Sequence, residues 1–249
     1  MKMEDLSSYL RPGRYVDSDA PAVVEFARRS CGEQTDEVSR AVALYNDVRD
    51  TIIYTPYFDF QSEDTYRAST CLTRGSGFCV AKAALLAAAA RVVGIPARVG
   101  YADVRNHLCT RRLRSLMGTD IFYYHSYAEL LLRGKWVKDT PAFDRGLCER
   151  FRVRTLEFDG VEDSLMHPYN DRGRRHMEYL RHRGAAADVP VQEIMELFAR
   201  EYPGFGPEEA AASATRFREE AEKSQALKGK RVSDDRFSDR PARRRLSHD

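Results

Sequence analysis

The chain has 249 residues, of which 43% are hydrophobic and 31% are charged, and its formal net charge is +2. A chain of this length can bury a substantial core without disulfide or metal supports, and its composition excludes a wholly disordered or membrane-embedded protein. The balanced charge gives no general reason to expect nucleic acid or an anionic membrane as a partner.

The five cysteines are an odd number and lie far apart in the sequence, which is typical of free thiols. The first residues lack the apolar stretch of a signal peptide, and the longest apolar run, from Ala83 to Ala90, is too short to cross a membrane. We therefore expect a cytoplasmic protein with no membrane partner.

Two amphipathic helices are predicted in the first part of the chain. Pro21 suits the first turn of a helix that ends near Cys31. A second helix begins after Asp36, which can cap it, and its apolar residues recur at three- and four-residue steps up to Ile52. The segment from Tyr54 to Thr73 lacks a sustained period and is predicted to be a long irregular loop.

A third helix is predicted from Phe78 to Val93, and because it is apolar nearly all round it should be buried on most sides. A strand from Ala97 to Val104 follows. The residues from Ile121 to Thr140 alternate as a hairpin that turns at Arg133 and Gly134. A helix followed by antiparallel strands predicts an α+β fold.

The C-terminal third of the chain is less regular. The sequence predicts no particular structure for the residues from Phe151 to Gly184. An amphipathic helix is predicted from Pro190 to Pro203, and a last, weakly apolar helix after Pro207. The tail from Lys228 to Asp249 holds eight basic and four acidic residues, and we expect a solvated, disordered tail rather than a nucleic-acid contact.

Cys79 stands at the start of the predicted apolar helix, directly after Gly-Ser-Gly-Phe. A thiol in the first turn faces unpaired backbone N–H groups and the positive end of the helix dipole, which favours the thiolate. His125 lies in the aromatic strand, where a strand packed against a helix can hold an imidazole toward the thiol. Cys79 and His125 are therefore candidates for a nucleophile and its general base.

The order of these residues resembles the transglutaminase-like superfamily, a group of papain-related cysteine enzymes. GSGFCVAKAALLAAAARVVGIPARVGYADV is similar to the family's cysteine helix, Gly-Ile-Pro-Ala-Arg segment and strand, and HSYAELLLRGKWVKDTP to its histidine hairpin. The resemblance covers about Tyr54 to Asp144. It implies an α+β core in which a central helix, with cysteine at its N-terminal end, packs on an antiparallel sheet. It also implies Cys79 as nucleophile and His125 as general base.

The acidic member of the family's triad departs from the pattern, because the family places it directly before a proline. Here Thr140 precedes the proline and Asp139 comes one residue early. With a two-residue turn, Thr140 shares the face of His125 and Asp139 points away, whereas a three-residue turn or a β-bulge would reverse this. Asp139, Thr140 and Asp144 are the three candidates. We predict Asp139, because a carboxylate fixes the imidazole tautomer and stabilises the imidazolium.

A zinc site is the alternative use of several of these residues. The potential ligands are Cys71, Cys79, His107, Cys109 and His125. Their spacing lacks the close cysteine pairs of structural zinc sites. We therefore expect neither a metal nor a cofactor.

The sequence predicts a thiol enzyme that cleaves or transfers the acyl group of an amide or peptide substrate through a thioacyl intermediate. Backbone N–H groups at the helix start would hold the oxyanion, with Tyr54 or Tyr57 as a side-chain donor. The alternative is a non-catalytic or regulatory binding module of the same fold, which the displaced acid favours. The expected partner is a peptide, a protein or a small amide. The sequence indicates neither the substrate nor the oligomeric state, nor whether water or an amine takes the acyl group.

The chain is predicted to divide into four parts. Residues 1–53 form the N-terminal helical part of the core, and residues 54–150 form the catalytic core. Residues 151–204 extend the core, and residues 205–249 hold a charged helix and the basic tail.

Overall fold

The computed structural model describes residues 5–205 and 216–223. Its helices are α1 (Pro21–Cys31), α2 (Glu37–Thr51), α3 (Ala68–Arg74), α4 (Cys79–Val92), α5 (Arg111–Met117), α6 (Arg145–Phe151) and α7 (Val191–Glu201). Its strands are β1 (Ile53–Tyr54), β2 (Ser76–Gly77), β3 (Ala97–Asn106), β4 (Ile121–Leu132), β5 (Lys135–Asp139) and β6 (Met177–Ala186). Residues 216–223 are also helical, and we call them the C-terminal helix.

α4 lies at the centre of the core because nearly its whole surface is apolar. Every residue from Cys79 to Arg91 is buried. Its alanines let neighbouring elements approach closely, and α1, α2 and α3 pack against it, as do strands β3 and β4. The predicted buried helix and the α+β class are confirmed.

Four antiparallel strands form the main sheet, in the order β5-β4-β3-β6. The turn between β4 and β5 consists of Arg133 and Gly134, whose φ angles are 49° and 79°. Positive φ at both positions is typical of the two-residue turn whose twist suits a hairpin. The resulting register places Ala128 opposite Asp139, so the predicted hairpin and its turn are confirmed.

A β-bulge in β4 lies directly before His125. Tyr124 has a φ of 52°, and the pairing of β3 with β4 shifts at this point. The carboxylate of Asp103 accepts a hydrogen bond from the Tyr124 N–H at 3.2 Å and another from the Arg183 guanidinium at 2.6 Å. These two contacts hold the bulge and so fix the position from which β4 presents His125.

Three elements differ from the prediction or go beyond it. The segment from Tyr54 to Thr73 is not wholly irregular, because α3 begins at Ala68 and buries Cys71 against the core. β6 forms within the part whose structure the sequence left open, where it pairs with the free edge of β3. α6 follows the hairpin and is capped by Asp144.

The other predicted helices are α1, α2 and α7, and all three are confirmed. The last predicted helix is confirmed only over residues 216–223, and the tail from Lys228 to Asp249 lies outside the described residues. In the part of the chain that the structure covers, no helix combines the length and hydropathy needed to cross a membrane. The four-part division of the chain stays a prediction.

Candidate active site

Cys79 is the first residue of α4, so its thiol lies at the N-terminal end of the central helix. The residues before it are fixed by a short parallel pairing of β1 with β2, in which Tyr54 lies opposite Gly77. A Cβ atom at Gly77 would lie only 2.5 Å from the Cys71 sulfur, so the close approach of α3 requires glycine. These contacts hold the cysteine at one position relative to the sheet.

The thiol meets the sheet at the edge of β4. β5 pairs with β4 only from Leu132 to Ala128, so it does not cover the edge beside His125 and Ser126. The first turn of α4 approaches this edge, where the backbone N–H of Ser126 lies close enough to the Cys79 sulfur to favour its thiolate form. The structure therefore brings Cys79 to the residue that directly follows His125.

Burial has a larger effect than the helix N-terminus on the pKa of the Cys79 thiol. Only 7% of the residue is exposed. Desolvation raises the thiol pKa to about 11, although the backbone N–H groups of Ser126, Val80 and Cys79 itself favour the thiolate. The expectation of a lowered pKa is wrong for this arrangement, and the resting side chain is a neutral thiol.

His125 is buried on β4, and its Nε2 atom has no hydrogen-bond partner among the described residues. Desolvation lowers the imidazole pKa to about 4, so the ring is neutral at neutral pH. It packs edge-on against Tyr179 of β6, with ring centroids 6.4 Å apart. The resting site thus consists of a neutral thiol and a neutral imidazole with a nitrogen free to take a proton.

Asp139 lies on the opposite face of the sheet from His125. The register places Asp139 opposite Ala128, and no shift interrupts the pairing of β4 with β5. Because side chains alternate between faces along a strand, Ala128 and Asp139 share one face and His125 points to the other. The turn and the ladder therefore contain no feature that brings Asp139 round to the imidazole.

The Asp139 side chain is fully buried, and neither carboxyl oxygen has a hydrogen-bond partner in the described part of the chain. Desolvation raises its pKa well above the usual range, and the charges of Glu129 and Asp163 act in the same direction. Its surroundings therefore favour the protonated form of the carboxyl group. A carboxyl group whose pKa is raised in this way is less suited to supply the charge that would stabilise an imidazolium.

Thr140 shares the face of His125 by the same alternation, and only 1% of the residue is exposed. The Thr140 hydroxyl lies beside the Tyr179 hydroxyl. Burial raises the pKa of Tyr179 to about 12, although the contact with Thr140 acts to lower it. The Tyr179 hydroxyl also accepts a hydrogen bond from the Met166 N–H at 3.3 Å. Tyr179 thus borders both Thr140 and His125, and the Thr140 hydroxyl has no hydrogen-bond partner among the described residues. No sequence motif marks Tyr179.

Asp144, the third candidate, is engaged elsewhere. It caps α6 by accepting a hydrogen bond from the Leu147 N–H at 3.0 Å, and it accepts another from the Tyr54 N–H at 3.3 Å. Arg218 of the C-terminal helix pairs with it at 2.8 Å. Asp144 therefore fixes the backbone at Tyr54 and does not orient the imidazole.

The two tyrosines considered as oxyanion donors have different surroundings. Tyr54 is buried and lies close enough to Cys79 that a thiolate would raise the tyrosine pKa further, in addition to the larger effect of burial. The Tyr57 hydroxyl is occupied, because it donates to the Glu220 carboxylate at 2.5 Å. Tyr54 is thus the tyrosine of the two that borders the sulfur.

The other four cysteines are free and buried. His107, one of the potential zinc ligands, contacts Glu178 at 3.0 Å. Within residues 5–205 and 216–223, no three His, Cys, Asp or Glu side chains converge as a metal site requires. The described part of the chain therefore gives no support to the zinc alternative.

A buried cysteine at a helix N-terminus, set against a strand that carries a histidine, defines a papain-like arrangement of thiol and imidazole. Residues 24–141 match the model of the transglutaminase-like superfamily. The core of the chain is therefore similar to this superfamily over these residues, and the resemblance found in the motifs is confirmed there.

Two solved structures are similar to part of the chain. A proposed cysteine protease from Cytophaga hutchinsonii is 22% identical, with a TM-score of 0.43, over 56% of this chain and 43% of that one. A proposed protease from Parabacteroides distasonis is 16% identical, with a TM-score of 0.35, over 54% of this chain and 25% of that one. The chain thus spans less than half the length of either. No curated protein matches it significantly.

Proposed function

We propose that the protein is a cysteine-dependent enzyme that cleaves or transfers the acyl group of an amide or peptide. The contact between the Cys79 sulfur and the Ser126 N–H carries this proposal, because it sets the thiol against the strand segment that presents His125. The match of residues 24–141 to the model of the transglutaminase-like superfamily supports the same assignment.

In the first step, Nε2 of His125 takes the thiol proton while the Cys79 sulfur attacks the carbonyl carbon of the substrate. The thiol pKa is about 11 and the imidazole pKa about 4, so the proton moves together with the attack rather than before it. The carbonyl oxygen becomes an oxyanion, to which the backbone N–H of Cys79 donates.

In the second step, the C–N bond of the substrate breaks and His125 gives its proton to the departing amine, which leaves a thioester on Cys79. Water or a second amine then attacks the thioester, with His125 again as the base, and the thiol is restored. Water gives a free acid and an amine gives a new amide. The same two residues serve both outcomes.

For the third position, the geometry favours Thr140 and Tyr179 over Asp139. A hydroxyl on the face of His125 can accept a hydrogen bond from the ring N–H and so fix the tautomer that leaves Nε2 unprotonated. Asp139, on the other face and with a raised pKa, is the less favoured candidate. In this proposal Thr140 and Tyr179 are positioning residues.

The test is acylation of the full chain by p-nitrophenyl acetate, followed by peptide mass mapping. We expect one acyl adduct on Cys79, none on Cys79→Ala, and a rate lower by about 100-fold or more in His125→Gln, since general-base catalysis contributes that much. His107→Gln is the matched control, because the His107 imidazole contacts the Glu178 carboxylate at 3.0 Å. Equal acylation of all five cysteines, or an unchanged rate in His125→Gln, would contradict the proposal.

A non-catalytic binding module is the second candidate, and the burial of Cys79 together with the position of Asp139 favours it. A binding module would show no preferential acylation of Cys79. Where acylation occurs, a fluorescent primary amine is offered with a glutamine-containing protein. Incorporation of the amine indicates transfer, and release of a free acid without incorporation indicates hydrolysis.

A further inference from the structure

The C-terminal helix lies over the side of the site that is formed by Tyr54 and Tyr57. The ring of Phe217 is 2% exposed and packs against both tyrosines, with centroids 5.8 Å from Tyr54 and 5.9 Å from Tyr57. Tyr54 in turn borders Cys79. A single aromatic ring therefore stands between Phe217 and the proposed nucleophile.

Glu220 follows Phe217 by three positions and fits a polar recess beside it. Its carboxylate accepts hydrogen bonds from the Tyr57 hydroxyl at 2.5 Å and from the Thr110 hydroxyl at 3.1 Å. Arg112 lies 3.6 Å away as a cationic partner, and the Glu220 side chain is 15% exposed. The recess is therefore matched to a carboxylate.

Two further ion pairs anchor the C-terminal helix. Arg218 contacts the Asp144 carboxylate at 2.8 Å, and Asp144 also holds the backbone of Tyr54. Glu222 pairs with Arg150 of α6 at 3.0 Å. Both contacts connect the helix to elements that border the site.

The site as described is closed to a substrate. A carbonyl carbon must come within about 3 to 3.5 Å of the attacking sulfur, yet Cys79 is 7% exposed. α4 and β4 belong to the core, whereas the described part of the C-terminal helix is eight residues long and too short to be stable alone. Two buried side chains, Phe217 and Ala221, and its polar contacts hold it. This helix is therefore the covering element that is displaced most easily.

We propose that the C-terminal helix occupies a substrate subsite beside Cys79 and thereby holds the site closed. The proposal rests on Cys79 being the nucleophile of the proposed function. The subsite takes an aromatic side chain at Tyr54 and Tyr57 and a carboxylate at Tyr57 and Thr110. The matching substrate is a peptide segment in which an acidic residue follows an aromatic residue by three positions, and such a segment has to displace the helix.

The first experiment measures how fast iodoacetamide alkylates Cys79 in the full chain. Glu220→Ala is expected to raise the rate about tenfold, which corresponds to a decrease of about 1.4 kcal/mol in the free energy of opening the helix. Glu219→Ala is the matched control, because Glu219 is 59% exposed and contacts Lys223 on its own helix. Equal rates in the two variants would overturn the proposal.

Alkylation of Cys31 in the same samples reports global opening, because Cys31 is buried at the end of α1. Its rate is expected to be the same in wild type and Glu220→Ala. A parallel rise at Cys31 and Cys79 would show that the whole chain had loosened, and would count against a local cover.

The second experiment tests the chemistry of the subsite. Phe217→Ala is expected to expose Cys79, and a synthetic peptide of residues 211–225 is expected to protect it again at about millimolar concentration, the effective concentration that a covalent link supplies. The same peptide with alanine in place of Phe217 should not protect. Failure of the native peptide to protect would overturn the assignment of the subsite.

Failure of this proposal and failure of the proposed function give different results, because alkylation by iodoacetamide reports access and not acyl transfer. If p-nitrophenyl acetate leaves Cys79 unmodified while the iodoacetamide rates of Glu220→Ala and Glu219→Ala differ tenfold, the closure is supported and the enzyme assignment fails. If Cys79 is acylated at the same rate in both variants, the enzyme assignment is supported and the closure fails.

Discussion

Lys82 joins α4 to Ile52 by a buried hydrogen bond, in which its ammonium group donates to the Ile52 carbonyl. The same group donates to the carbonyl of Arg49 at 3.0 Å. These carbonyls lie at the C-terminal end of α2, where they lack partners within the helix and carry partial negative charge. Because Lys82 is three residues after Cys79, this contact helps to place the start of α4.

Replacing Lys82 with methionine is expected to change the pH dependence of stability. Burial lowers the Lys82 pKa from 10.5 to about 8. Between these values the unfolded state binds more protons, so Lys82 makes the folded state more stable as the pH rises. Between pH 7.5 and pH 9.5, the free energy of unfolding should rise by about 2 kcal/mol more in wild type than in Lys82→Met.

Urea titrations of both proteins measure this gain. The difference between wild type and Lys82→Met is the quantity to follow, because the raised pKa values of the buried thiols of Cys71, Cys79 and Cys148 lower stability over the same range in both proteins. A difference that does not change with pH would argue that Lys82 is not buried as described.

His125 is expected to make the fold sensitive to acid. Its pKa is lowered by burial from 6.5 to about 4, so the unfolded state binds more protons between these values and stability falls as the pH drops. Between pH 7 and pH 4, the free energy of unfolding should fall by up to about 3 kcal/mol less in His125→Gln than in wild type. Urea unfolding at pH 7, 5.5 and 4 measures this, with exposed His182→Gln as the control. Parallel pH profiles of wild type and His125→Gln would show that the imidazole is solvated.

Much of the fold could be predicted because its signals are local. The alanine-rich run of α4 and the Arg133-Gly134 turn each lie within a few residues, and both elements formed as predicted. β6 could not be predicted, since its polar sequence becomes a strand only through the free edge of β3. Tyr179 lies on β6, so it could not be predicted as a site residue for the same reason.

The state of the site depended on contacts that are distant in the sequence. Position at the helix start predicts a reactive thiolate at Cys79, but burial raises the thiol pKa instead. Contacts with segments as far apart as Tyr54 and Ser126 enclose this residue. The hairpin register, by contrast, was predictable, and it already indicated that Thr140 and not Asp139 shares the face of His125.

Gly77→Ala is expected to destabilise the loop before Cys79. The new methyl group would lie 2.5 Å from the Cys71 sulfur and 3.3 Å from Lys82, and overpacking of this kind costs about 1 to 3 kcal/mol. Cys71→Ala removes the sulfur that is in the way. The double variant should therefore be more stable than the sum of the two single effects predicts, as a double-mutant cycle by urea unfolding can measure. Additive effects would show that α3 does not approach Gly77 closely.

Thr140 and Asp139 are neighbours in the chain, and their substitution is expected to affect the positioning of His125 differently. Thr140→Val keeps the shape of the side chain and removes the hydroxyl on the imidazole face, so acylation of Cys79 should slow by about tenfold to 100-fold, which corresponds to about 1.4 to 3 kcal/mol. Asp139→Asn changes a side chain on the other face and should leave the rate within about twofold of wild type.

The pH profile of acylation separates positioning from a loss of stability. If the Thr140 hydroxyl orients the ring, Thr140→Val should lower the maximal rate and also move the acid limb of the profile, because the hydrogen bond that fixes the tautomer affects the proton affinity of Nε2. Thr140→Ser, which restores the hydroxyl, should recover both quantities. A strong loss of rate in Asp139→Asn, with Thr140→Val unaffected, would instead assign the third position to Asp139 and require the β4–β5 hairpin to change register in the working enzyme.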